Sequence, residues 1–452
     1  MEIETTPLYA EYKAIVGDGP KPVHYHWTMQ LIAGGKTIEV IKVVDISIVR
    51  AYNVNYGDNV LVKFAIGAGT FHHQIYPYRT DLRAVLFRQP LGEVMNGLSL
   101  DQDIEAQVMR ATLVQDSSAV MEANRRHTDS PRDMDITDII EVEIGLTDLA
   151  LEQLRMMTTD GCYRQVKTSE LMRHVLTVAS ANVSSDADTA IRGVDLYPPS
   201  NEQPAPNIVV PTGTRLFELP DYLHSQVDGV YNSGFGFYLQ KRHWYIYPTL
   251  DLKRYEQSEK GLTVIRLPPD LYRGGERTFR KTANQLIVLV GEEAGSSDPS
   301  EIMQLNLGNG VRYADAASIF NGYGKTENNK TTVVRKENNS EYLIENRAEN
   351  INNIQMSPRR IVSNVFLEAS KMAERLGMYL SCQWEHSDPG AIWPGMPVRY
   401  MFMAGGQVFE SFGIVQAAQH YIRLNQPGIT TRRHICSTSL LLFLGKASPW
   451  KD

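Results

Sequence analysis

The sequence predicts a β-rich α+β chain of several domains, with barrel-like β units near both termini and small mixed α/β modules between them. Three observations predict it. Short runs of alternating apolar and polar residues, punctuated by Gly and Asn turns at spacings of roughly 8–12 residues, fill the first and last stretches. Helical spacing takes over from alternation mainly around residues 147–178 and 357–376. The 452 residues, 42% hydrophobic and 21% charged, exceed one ordinary domain and suffice for several packed cores.

Residues 1–146 read as the first β unit. His24–Ile32 alternates, and Ala33-Gly34-Gly35-Lys36 suits a hairpin turn. Thr37–Val44 and Ile46–Val54 follow as strands, then a turn at Tyr56–Asn59 and a strand over Val60–Ile66. After Gly67-Ala68-Gly69, further strands are predicted over Phe71–Tyr78, Leu82–Arg88, Ile104–Leu113 and Ile139–Leu146. The charged stretch 122–138 reads as an exposed loop.

Residues 147–194 form a small helical segment. Thr147–Met157 has apolar residues at helical spacing, with Thr147 or Asp148 as the cap. Gly161–Lys167 reads as extended, and a second helix from Thr168 places Leu171, Val175, Leu176 and Val178 inward. Residues 195–356 begin with a proline-rich stretch, 195–220, read as an extended connector because proline removes ladder donors. A helical turn at Asp221–Val227 follows. Then come strands at Gly236–Leu239 and His243–Tyr247 joined at Lys241-Arg242, more strands at Leu262–Leu267 and Gln285–Gly291, and polar loops over 292–340. Residues 357–452 start with a helix opened by Ser357 or Asn364, burying Phe366, Ala369, Met372, Ala373 and Leu376. They end in strands over Met378–Trp384, Val398–Ala404, Val408–His420 and Ser437–Leu444.

Composition removes several function classes. A net charge of −7 repels phosphate, so no nucleic-acid specificity is expected. No apolar run approaches the roughly 20 residues of a membrane span, and the first residues lack the zones of a secretory leader. Cys162, Cys382 and Cys436 are odd in number and contain no CxxC, which reads as three buried, reduced thiols.

Each chemical constellation has a plainer reading beside it. His24 and His26 share one strand face, with His72-His73 farther along, but no third ligand stands at a metal-site spacing. Asn321–Thr326 (NGYGKT) resembles a phosphate loop, yet Ile319 occupies the position where the pattern needs glycine. Glu385-His386-Ser387-Asp388 holds triad residue types in one short stretch that cannot aim all three together. Glu141 and Glu143 alternate with apolar residues and read as the wet face of a strand; Glu292-Glu293 is a second carboxylate pair. Glycoside hydrolysis stays open, because its two acids need no fixed spacing. Tyr238, Trp244, Tyr245, Tyr247 and Tyr255 suit either packing or sugar stacking, with packing or partner contact favoured. No catalytic, cofactor-binding or metal-ligating residue is assigned, no cofactor is expected, and the chain reads as non-enzymatic.

The order of segments resembles the central baseplate hub protein of contractile-tailed bacteriophages. The likeness lies in the N-terminal β unit followed by DLALEQLRMM and SELMRHVLTVAS, in FELPDYLHSQVDGVYNSGFGFYLQKRHWYIYP after the proline-rich stretch, and in PGMPVRYMF near the end. It implies a homotrimer with two barrel units per chain forming a pseudo-sixfold ring. The implied partners are tail tube proteins above, a spike protein below and other baseplate proteins, in a virion assembled from subunits made in the host cytoplasm. A cell-wall or carbohydrate hydrolase, or another tail or secretion-system tube component, is the alternative.

Overall fold

The computed structural model describes residues 7–17, 24–54, 56–91, 105–114, 138–183, 190–225, 227, 229–268, 270–272, 277–291, 294–297, 324–327, 330–333, 366, 370, 373–425 and 433–450. The chain is β-rich, as its alternation predicts.

Helix α1 (Pro7–Gly17) opens the described chain. Then come β1 (His24–Ala33), β2 (Lys36–Glu39), β3 (Lys42–Ala51), β4 (Asn59–Gly67), β5 (Arg83–Leu91), β6 (Glu105–Leu113) and β7 (Ile139–Asp148). The mixed region holds α2 (Leu149–Arg155), β8 (Thr158–Lys167), α3 (Thr168–Ala181), β9 (Gly193–Leu196), β10 (Pro204–Arg215), α4 (Leu219–Ser225), β11 (Gly236–Gln240) and β12 (His243–Tyr247). The remainder is β13 (Gly261–Arg266), β14 (Phe279–Lys281), β15 (Gln285–Val290), β16 (Ala294–Ser297), β17 (Gly324–Glu327), β18 (Lys330–Val333), β19 (Gly377–Glu385), β20 (Pro397–Ala404), β21 (Gln407–Leu424), β22 (His434–Gly445) and β23 (Ser448–Pro449).

The pairings of β3–β4–β7–β6–β5–β1 continue through β1–β22, β22–β21 and β21–β3, so the hydrogen-bonded path returns to its start as a closed ring. Alternate residues point inward: Tyr25, Trp27, Met29 and Leu31 from β1 meet Val60, Val62, Phe64 and Ile66 from β4. A second run, β21–β20–β13–β15–β14 on one side and β22–β19–β16 on the other, wraps another core. Among the described residues it is open, ending at β14 and β16, and β14 approaches β19 without pairing: the Thr278 hydroxyl donates to the Glu385 carbonyl across 2.5 Å and Phe279 meets Trp384 edge to face. Strand β13 pairs in parallel on both sides and is buried on both faces, as a central parallel strand requires. A third core lies under α2, α3, α4 and β8–β12.

Several expectations are corrected. The strand predicted over Phe71–Tyr78 is a run of helical turns from Ala68 to Asp81, whose Phe71 and Ile75 plug one part of the first core. Alternation misleads there because Pro77 sits in the opening turn of a 3₁₀ helix, where its lost donor costs nothing. Two strands predicted over 37–54 break at residues 40–41 instead, and β3 runs through Asp45 on a bulge. The proline-rich connector contains a strand, β10, paired with β8 and irregular between Val210 and Thr214, where Pro211 and a left-handed Gly213 fall. Val178 and Leu376 are exposed rather than inward, while Met172 is buried. Cys162 is exposed; Cys382 and Cys436 are buried, and all three are free.

No helix is predicted from sequence over residues 7–17, yet Leu8, Tyr12 and Ile15 carry helical spacing there, and α1 covers Ile265, Ile287 and Met401 on the outer face of the second sheet. The Gly34-Gly35 turn, with φ of 55° and 76°, closes the β1–β2 hairpin as the sequence predicts. The loop 122–137, Glu292-Glu293, Asn321–Tyr323 and most of the helix predicted from 357 lie outside the described residues.

Candidate functional site

Strands β21 and β22 belong both to the closed ring and to the second, open strand run, and their shared face shows how. Along β22, Cys436 points into the first core, while Leu440, Leu442 and Leu444 point into the second. Along β21, Ile422 serves the first core, and Ala418 and Val415 the second, with a bulge between Val415 and Ala417 restoring the register. Between the two apolar sets stand His420 and Thr438, cross-strand partners with 0% exposure each. Two polar residues at that depth need partners, because an unpaired buried group costs about 1–3 kcal/mol.

The network supplies them. Arg50 Nη1 donates to His420 Nε2 across 3.0 Å; since guanidinium only donates, His420 is held as the tautomer whose Nδ1–H faces Thr438 Oγ1, 2.7 Å away. Thr438 Oγ1 lies 2.6 Å from Ser387 Oγ, and Ser387 donates on to Cys436 Sγ at 3.1 Å. Arg50 also donates to Asp58 Oδ2 at 2.9 Å and to the Pro389 carbonyl at 2.5 Å. Asp58 Oδ1 accepts from Tyr238 of β11 at 3.0 Å, which ties the mixed region to the same point. Beside it, Arg88 of β5 pairs with Asp388 at 2.6 Å, both largely buried.

Electrostatics follow the geometry. Burial keeps the His420 imidazole far below its ordinary pKa, and the Arg50 and Arg88 charges push it the same way, so it is neutral. Burial works against the charge of Arg50, but Asp58 outweighs it and raises that pKa. Burial alone would raise the Asp388 carboxyl; Arg88 wins and holds it below the usual value. Burial pushes the Cys436 thiol up to about 12, leaving it unreactive. The site is a polar partition between two apolar cores, held by residues from β3, β5, β21, β22 and the loop after β19. A small cavity of about 60 Å³ lies on its first-ring side, lined by Trp27, Arg50, Arg88, Lys241 and Pro389 among others.

The residues singled out from sequence fall elsewhere or serve this partition. Ser387 and Asp388 are buried in it with different partners, and His386 points instead at His24, with ring centroids 5.9 Å apart. No triad geometry arises from them. His26 neighbours His434, itself fixed by the Trp27 amide and the Val43 carbonyl. His72 packs against Phe71 and Tyr76. Among the described residues, no three of His, Cys, Asp and Glu converge as a metal ion requires. Gly324 to Thr326 lie in a β17–β18 hairpin, not before a helix. Glu141 pairs with Lys63 at 2.5 Å on the exposed face of β7. Tyr238, Trp244 and Tyr247 are core residues, Tyr255 meets Thr263, and Tyr245 lines a surface cavity. Among the described residues, no helix is long and apolar enough to cross a membrane.

No protein-family model matches the chain, and no curated protein matches it. Solved structures do. The tail protein from Neisseria meningitidis MC58 aligns over 92% of this chain and 96% of its own, at 12% identity and a TM-score of 0.45. The 43 kDa tail protein of prophage MuSo2 from Shewanella oneidensis aligns over 91% and 98%, at 10% identity and a TM-score of 0.41. An E. coli type VI secretion component, described as structurally similar to the T4 bacteriophage tail proteins gp27 and gp5, aligns over 93% and 77%, at 9% identity and a TM-score of 0.41. These neighbours are phage-tail and secretion-system proteins.

Proposed function

We propose that this chain is a structural hub subunit of a contractile tail, working as a homotrimer that joins the tail tube to a central spike. One observation carries the reading: each chain holds a closed strand ring and a second, open strand run side by side, fused through β21 and β22 and stiffened by a buried polar partition. Three such chains present six β units to a sixfold tube while keeping threefold symmetry for a spike below. A joint of this kind must transmit force without shearing, and two long shared strands with a fully paired polar core resist sliding between the two β units.

Edges supply the contacts with neighbours. Among the described residues, β14 and β16 end the second sheet, and β8–β10 is a two-stranded ribbon. Exposed strand edges favour completion by another chain, and an obligate ring of this type buries upward of about 2,000 Å² per interface. The partners in this reading are further copies of the chain, tube proteins above, the spike below and surrounding baseplate proteins, within the virion tail. The chain then performs no turnover. Light scattering on purified protein tests this: three times the chain mass is expected, and a stable solitary chain at micromolar concentration contradicts it.

A further inference from the structure

Outside the partition, the mixed region holds a cavity of about 380 Å³ whose wall is made by β9, β12 and their surroundings. Tyr197, Tyr245, Tyr247 and Trp393 give it aromatic sides, and Arg173 and Arg254 give it two cations. The Arg254 guanidinium lies over the Tyr197 ring at 4.4 Å and the Tyr247 ring at 5.4 Å. Its Nε and Nη1 are sealed from solvent and have no hydrogen-bond acceptor among the described residues. Neither nearby carboxylate hydrogen-bonds the guanidinium: Asp195, at the cavity wall, contacts His243 at 3.0 Å, and Asp251, whose charge favours that of Arg254, accepts from the Lys253 amide at 3.0 Å.

A guanidinium held between ring faces, with two of its donors short of acceptors, is an unfinished arrangement. Cation–π contacts recover less than the full cost of burying charged donors without acceptors. An oxyanion entering the cavity supplies both the acceptors and the opposite charge. The aromatic walls select the rest of the ligand, favouring a flat or apolar body over a fully hydrated ion. Arg173, on the exposed side of α3, adds a second positive charge at the same cavity.

We propose that this cavity is a binding site for a carboxylate carried on an aromatic or apolar body, with Arg254 and Arg173 as its anion-recognising residues. The carboxylate is either that of a free small acid or the C-terminus of a peptide segment. Calorimetry and ligand-observed NMR on the full chain test the site with benzoate, with N-acetyl-Gly-Gly-Phe, and with benzamide and inorganic phosphate as controls. Saturable binding of benzoate or the peptide is expected, at least tenfold weaker for benzamide and phosphate. Binding of benzoate alone assigns a small acid, and binding of the peptide assigns a chain terminus. Arg173→Gln, at an exposed helix position that leaves the fold intact, weakens binding several-fold. Arg254→Gln, with its fold checked by circular dichroism, weakens it more than tenfold. The site is refuted if folded wild-type protein binds neither acid, if benzamide or phosphate binds as well as benzoate, or if Arg173→Gln binds like wild type.

Discussion

His420 and Thr438 face each other across β21 and β22, with Nδ1 and Oγ1 2.7 Å apart, at the point where the shared strands pass from one apolar core to the other. Neither core needs a polar pair. Its presence there makes the boundary between the two cores a fixed position, since sliding either strand by two residues would push an imidazole or hydroxyl into a leucine-lined interior. The partition therefore specifies register as well as joining the two β units.

Thr438→Val keeps the shape of that side chain and removes its hydroxyl. His420 Nδ1 and Ser387 Oγ then lose a shared partner, and denaturant unfolding should show a loss of about 1–3 kcal/mol. A double-mutant cycle with Ser387→Ala should return a coupling of about 0.5–3 kcal/mol; strict additivity would contradict the network.

Arg88→Met strands Asp388 as a buried charge without its counter-ion. The expected cost is about 3–5 kcal/mol, read from the shift in the unfolding midpoint. Adding Asp388→Asn should recover a substantial part of it.

Acid should act through the buried histidines. His420 has its folded pKa well below the ordinary 6.5, and burial lowers that of His224 to about 4. A lowered histidine pKa means the unfolded chain binds the proton more readily, so stability is full above about pH 6.5 and falls as pH drops from there toward the folded value. Asp148 and Asp221, whose carboxyls burial raises, oppose this trend. The comparison with His224→Gln isolates the histidine: its stability should fall less between pH 6.5 and 4.5 than wild type, by up to about 1.4 kcal/mol per pH unit.

Gly413 of β21 is the register partner of Leu444 in β22. A Cβ there would sit 1.8 Å from the Phe443 carbonyl oxygen, so Gly413→Ala must push the shared strands apart. A loss of about 1–3 kcal/mol, or failure to fold, is expected from thermal melts; an unchanged melting temperature would contradict the close approach.

Much of the strand layout was legible because alternation is a local signal, as in His24–Ile32 or His243–Tyr247. The hairpin at Lys241-Arg242 was equally readable, though both residues adopt positive φ without glycine. Proline misled at β10, where the strand belongs to a ribbon that tolerates missing donors. Aromatic-rich Phe71–Tyr78 mimicked a strand because Phe71 and Ile75 are buried for reasons of helical, not extended, spacing. The partition itself was invisible. Arg50, Ser387, His420 and Thr438 meet only through the fold, with Arg50 and His420 separated by 370 positions, and no spacing rule joins them. Glu385–Asp388 holds the residue types of a triad but forms none: Ser387 and Asp388 are sealed between the two cores, while His386 faces His24.

Electron-microscope class averages of the purified full-length chain test the central claim most directly. A threefold particle with six β lobes around its axis, two per chain, is predicted. Single particles with two lobes and no rotational symmetry, persisting across concentration, would contradict it.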